Sequence, residues 1–207
     1  MIKNIVFDLG RVIYTFWPIE YMLELGYTQE DAASLFGCEA ITDLWNEYDR
    51  GTYTRESLID EIIKLLPDRA EDIRKILGND FVDRCIKIMP ENLELFYDVK
   101  RRGFKVYILS NIFDDGIQHL IKRDAFLSEA DGIIASAHYK LLKPEHEIYQ
   151  VLFDTYNLVP EECVFIDDKE CNITAARELG MHGIVFENLE DCKQQLNYII
   201  QTGGNNK

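Results

Sequence analysis

Apolar and polar positions divide the chain into three rhythms. Ile2 to Leu9 is a short run rich in Ile, Val and Phe that reads as a buried strand, and it ends on Asp8 and then Gly10. From about Pro18 to about Pro90 the spacing is helical throughout and shows no convincing strand. Thr28 ahead of Gln29, Glu30 and Asp31 suits a helix start, and Thr54 opens another helix that Pro67 ends. Gly51-Thr52 separates two of these helical stretches, and Asp68 begins a further one. From Pro90 onward helices and strands alternate. The expected order is helix 91–102, strand 104–109, a helix, strand 132–135, helix 145–156, strand 163–166, helix 172–179, strand 182–186 and a last helix. The end of the chain, 203–207, reads as a frayed tail.

Such alternation predicts an α/β fold, a parallel sheet with helices on both faces. The first strand precedes the helical block and the others follow it, so the block reads as an insertion just past Asp8. The expected division is a core of residues 1–16 and 91–207 and an all-helical unit of residues 17–90.

Composition narrows the class. The 207 residues are 47% hydrophobic and 12% aromatic, enough for one good core with a small inserted lobe. Net charge is −15, with an isoelectric point near 4.6, which disfavours a nucleic-acid partner. No apolar stretch reaches the length of a membrane span, and the N-terminus lacks the pattern of a signal peptide. Cys38, Cys85, Cys163, Cys171 and Cys192 are scattered without a CxxC pair. They read as reduced thiols, and a cytoplasmic location is expected.

Four polar features stand at the ends of apolar runs or in a loop: Asp8, Ser110-Asn111, Lys143-Pro144 and Asp167-Asp168. One carboxylate, one hydroxyl, one lysine and a carboxylate pair suit phosphoryl transfer through an aspartyl intermediate. Each has a plainer reading alone. Ser-Asn is a common helix cap, Lys-Pro precedes many helices, and Asp-Asp favours turns. The ordered set favours a site. The four histidines have no spacing partner and read as surface or loop residues. Tyr14, Phe16 and Trp17, like Trp45 and Tyr48, read as packing.

The motifs F-D-L-G at 7–10, L-S-N at 109–111, K-P at 143–144 and F-I-D-D-x-x-x-N at 165–172 together resemble the haloacid dehalogenase-like hydrolase superfamily. With its helical insertion the chain is similar to the cap-bearing branch that includes sugar-1-phosphate phosphatases. The resemblance implies a Rossmann-like core with an inserted helical cap. It implies a magnesium-dependent phosphatase acting on a small phosphorylated metabolite, a sugar phosphate above all, through an aspartyl-phosphate intermediate. By the same resemblance Asp8 is the nucleophile, and Ser110 with Asn111 binds the transferring phosphate. Lys143 neutralises charge on both, and Arg11 points either at that phosphate or into a surface ion pair. Asp8, the Gly10 carbonyl, Asp167 and Asp168 hold Mg2+, with Asp167 the less certain of the pair. Asn172 orients the metal ligands or Lys143.

Gly10 departs from the pattern, because the phosphatases usually carry a general acid–base aspartate there. Two alternatives follow: a metal-independent 2-haloacid dehalogenase, or a catalytically weak binding or regulatory member of the fold. Dehalogenases place an aromatic residue at this position and do not require the carboxylate pair. Asp49 in the helical block, or a bound water, is a place to look for the missing proton donor.

Overall fold

In the computed structural model, which describes residues 1–203, seven strands are found among the described residues. They are β1 (Asn4–Phe7), β2 (Tyr14–Phe16), β3 (Ile86–Ile88), β4 (Lys105–Ser110), β5 (Gly132–Ala135), β6 (Cys163–Asp167) and β7 (His182–Val185). Five of them form one sheet in the order β5-β4-β1-β6-β7, and every pairing in it is parallel. Most of the expected frayed tail, residues 204–207, lies outside the described residues.

The central strand shows why the sheet is covered on both faces. Ile5 and Phe7 point into one apolar cluster and Val6 into the other, as the two-residue period of a strand requires. On the first face Phe7 packs against Phe96 of the helix Pro90–Arg101, with ring centroids 6.1 Å apart. On the second face Tyr149 of the helix His146–Tyr156 meets Phe165 edge-on at 5.9 Å.

The block between Asp8 and the second sheet strand contains the helices Pro18–Glu24, Gln29–Phe36, Glu39–Asp49, Arg55–Leu65, Ala70–Ile76 and Phe81–Cys85. Two start with reciprocal capping boxes, Thr28 with Asp31 and Thr54 with Ser57. Each cap satisfies backbone donors that a helix leaves open, and a cap residue is worth about 1 kcal/mol. A short 3-10 turn, Pro67–Arg69, stands where a helix was expected to begin at Asp68.

The block is not wholly helical. Ile86–Ile88 forms an antiparallel ribbon with Tyr14–Phe16, pairing Tyr14 with Ile88 and Phe16 with Ile86. Three residues between two helices carry too little local pattern to announce a strand. Their partner lies about seventy positions earlier in the chain, so the pairing is a tertiary effect. Tyr14 is buried against Phe126, and its hydroxyl donates to Asp124 at 2.6 Å. Phe16 and Trp17 instead remain 37% and 48% exposed, which limits their part in packing. Trp45 and Tyr48 do pack: Trp45 stacks on Phe36 and Phe81, and Tyr48 on Phe113.

Candidate active site

All four polar features converge at the carboxyl ends of β1, β4 and β6, where open α/β sheets bind ligands. Phe7 is level with Ile108 on one side and Ile166 on the other. Asp8 therefore leaves the sheet between Leu109 and Asp167, with its N–H still donating to the Ile166 carbonyl at 2.9 Å. Ser110 is the last residue of β4, buried one step further along.

Lys143 joins these strand ends. Its side chain is 1% exposed, and its Nζ donates to Asp8 Oδ1 at 2.8 Å, Asp167 Oδ2 at 2.7 Å and the Leu109 carbonyl at 2.8 Å. Those contacts use all three ammonium protons. The loop that carries it is fixed by Asn111, whose side chain accepts from the Lys143 N–H at 2.8 Å and donates to the Lys143 carbonyl at 3.0 Å. The Asn111 side chain thus holds the lysine loop and is not free for an anion. Any phosphate contact from this residue falls to its backbone.

Asp167 is fully buried and saturated by the protein. Asn172 Nδ2 donates to both of its oxygens at 2.9 and 3.0 Å, and the Lys169 N–H adds a third contact at 2.8 Å. Asp168 is half-buried. Burial first, and the neighbouring Asp167 charge second, raise its carboxyl above the usual range, against Lys169, Arg11 and Lys143. Asp8, Asp167 and Asp168 each offer an oxygen, and these atoms lie within 4.8 Å of one another. Hard oxygen donors gathered at one sheet edge fit a magnesium ion.

The charges in the site are unequal. Burial pushes Asp8 up to about 6, opposed by Lys143 and reinforced by Asp167. Burial alone would lower Lys143, yet Asp8 and Asp167 outweigh it and hold the ammonium above its ordinary range. Arg11 is exposed with a φ of 56°, and its field reaches Asp168, which places it on the site's side of the sheet. Gly10 has no unusual φ, and a Cβ there would meet only Asp8 Oδ2, at 3.9 Å. Neither backbone conformation nor crowding calls for glycine at this position.

A fourth carboxylate comes from the helical block. The C-terminal end of the helix Glu39–Asp49 rests on three core loops. Tyr48 stacks on Phe113 at 4.4 Å, and Arg50 forms a two-pronged pair with Glu145 at 2.6 and 3.1 Å. Ser136 Oγ donates to the Asp49 carbonyl at 2.5 Å. Gly51 sits against the Ala137 backbone at φ +76°, where an added Cβ would lie 2.6 Å from the carbonyl oxygen. Between these anchors burial pushes the Asp49 carboxyl up to about 7, against the Lys169 charge and the Phe113 backbone; the charges of Asp8 and Lys143 act on it as well.

The histidines stay outside the site. His119 pairs with Asp83, His138 with Asp114 and His146 with Glu178, each at the surface. Among the described residues no helix is long and apolar enough to cross a membrane.

The chain is similar to several known proteins over most of its length. The chain is 27% identical to D-ribitol-5-phosphate phosphatase of Bacteroides thetaiotaomicron, over 98% of this chain and all of that one. It is 25% identical to a drimenol cyclase of Aspergillus calidoustus over 97% of its own length, but it spans only 37% of that protein. A HAD family enzyme of Bacteroides thetaiotaomicron, solved in complex with magnesium and inorganic phosphate, superposes with a TM-score of 0.73 at 22% identity, covering 93% of this chain and 99% of that one. The family model for haloacid dehalogenase-like hydrolases matches residues 2–180, and the chain belongs to that family.

Proposed function

We propose that the protein is a magnesium-dependent phosphatase of a small phosphorylated metabolite, a sugar or sugar-alcohol phosphate in the first place. The observation that carries the reading is the Lys143 ammonium shared between Asp8 and Asp167, with Asp168 left outside that network. Asp8, Asp168 and the Gly10 carbonyl would hold the ion, with Asp167 behind them, locked by Asn172 and Lys143. Bound there, magnesium would offset negative charge on the transferring phosphoryl group.

The chain's own residues supply the rest. Asp8 attacks phosphorus and carries the phosphoryl group as an aspartyl phosphate, which water then hydrolyses. Lys143 holds Asp8 Oδ1, which leaves Oδ2 as the attacking atom. Ser110 and the Asn111 backbone bind phosphate oxygens, and Arg11 adds positive charge at the mouth of a site with three carboxylates. A metal-independent dehalogenase would have no use for Asp168, whose half-buried charge is costly without a cation. The full-length match to a sugar-alcohol phosphate phosphatase supports the substrate class.

The test is a panel of phosphorylated metabolites assayed with magnesium and with chelator, for wild type and Asp8→Asn. Release of phosphate that needs both magnesium and Asp8 is expected. Full turnover in excess chelator, or by Asp8→Asn, would overturn the reading.

A further inference from the structure

Gly10 leaves this site without a proton donor at the place where the fold could carry one, although the space is open. Cleavage of an alkyl phosphate monoester needs a proton on the departing oxygen, and hydrolysis of the aspartyl phosphate needs a base on water. Asp8, Asp167 and Asp168 cannot serve, since they are committed to attack, to Lys143 and Asn172, and to cation binding. Asp49 comes from the helical block and is seated beside the carboxyl ends of β4 and β5 by Ser136, whose hydroxyl donates to the Asp49 carbonyl and accepts from the Ile112 N–H.

We propose that Asp49, supplied by the helical block, is the general acid and base of the reaction, in place of a residue at position 10. The proposal rests on the phosphatase reading above. In the first step an Asp8 oxygen bonds to phosphorus, the bond from phosphorus to the substrate oxygen breaks, and the Asp49 carboxyl gives its proton to that oxygen. In the second step the Asp49 carboxylate takes a proton from water as the water oxygen attacks phosphorus. The bond to Asp8 breaks, phosphate leaves, and both aspartates return to their starting states.

The surroundings suit that exchange. Among the described residues no cation forms an ion pair with Asp49. Arg50 is taken by Glu145, and Arg55 and Tyr48 are both taken by Asp115. What faces its carboxyl is the Phe113 N–H, the distributed charge of Lys169 and Lys143, and the opposing charge of Asp8. Such a group holds its proton near neutrality and can release it, which a salt-bridged carboxylate cannot. Backbone contacts at Asp49 and Gly51 fix its position without involving the carboxylate oxygens.

The experiment compares magnesium-loaded wild type and Asp49→Asn on p-nitrophenyl phosphate and on an alkyl phosphate such as ribitol 5-phosphate. Nitrophenolate leaves without a proton. Its first-turnover burst should therefore survive in Asp49→Asn, while steady turnover slows and phosphorylated Asp8 accumulates. Alkyl phosphate cleavage should fall on the order of 10²–10⁴-fold in kcat/KM. The pH limb belonging to the acid should vanish, and Asp49→Glu should recover part of the loss. Equal losses on both substrates in burst and steady state would assign Asp49 to cap seating and overturn the proposal. Unchanged turnover would overturn it as well. If wild type turns over neither substrate, the phosphatase reading falls and this proposal falls with it.

Discussion

Replacing Lys143 by methionine keeps an unbranched side chain, one atom shorter, and removes one charge. In the native fold that charge sits against two carboxylates and a carbonyl, with the lysine 1% and Asp167 0% exposed. Breaking a buried pair from one side costs about 3–5 kcal/mol, because the partner charges stay buried without compensation. Here Asp8 can respond. It stands near 6 even with the lysine present, so without it Asp8 binds a proton far more readily. Between about pH 4 and 8 the folded variant then holds protons that the unfolded chain has lost. Stability falls with rising pH wherever the folded state binds more protons, so the deficit should grow towards alkaline pH. The expected loss is about 1–2 kcal/mol at pH 5, where a protonated carboxyl fills the gap with a neutral hydrogen bond. At pH 8 it should reach about 3–5 kcal/mol. Urea denaturation of metal-free protein at both values measures it. A deficit below about 1 kcal/mol at pH 8, or one of equal size at both pH values, would refute the account of a shared buried ammonium.

Three further outcomes are expected. Asp168→Asn should abolish magnesium binding in calorimetry yet raise the melting temperature of the metal-free protein at neutral pH, because the native fold already disfavours that charge. A lower melting temperature would show that Asp168 is paired in solution. Gly51→Ala should destabilise by about 1–3 kcal/mol, since residue 51 has φ +76° and its Cβ would press on the Ala137 carbonyl; an unchanged melting temperature would show that the contact is loose. Gly10→Asp, placed in the Asp49→Asn background, should restore part of the alkyl phosphate activity. Rates across a leaving-group series should become less steep than in Asp49→Asn alone.

The sheet and the strand-end chemistry were legible because both are local. Apolar runs of four to six residues marked the five parallel strands, and a polar residue at the end of a buried run has few places to go but the edge of the sheet. Three features were not local. The pairing of Ile86–Ile88 with Tyr14–Phe16 depends on chain returning from far away. The commitment of the Asn111 side chain to the Lys143 backbone depends on a loop thirty-two positions on. Asp49 could be named as a place to look, but nothing in residues 39–49 says that the end of that helix would rest on Phe113 and Ser136.

The ribbon of β2 and β3 also bears on how such an insertion is tolerated. Both crossings between the helical block and the sheet run side by side, hydrogen-bonded to each other through Tyr14 and Ile88. To the sheet, the whole of 17–85 is therefore a closed loop whose ends are already together. Chain statistics put the entropy of closing an unstructured loop of that length at roughly 4 kcal/mol, rising only logarithmically with length. Once the ribbon forms, that cost has been met, and β1 and β4 can pair as though joined only by the crossover through the helix Pro90–Arg101. The sheet is then almost indifferent to what the loop contains. A block of different size, presenting a different residue where Asp49 stands, could be exchanged at the same two strands with core changes confined to the places it rests on, at Phe113, Ser136 and Glu145.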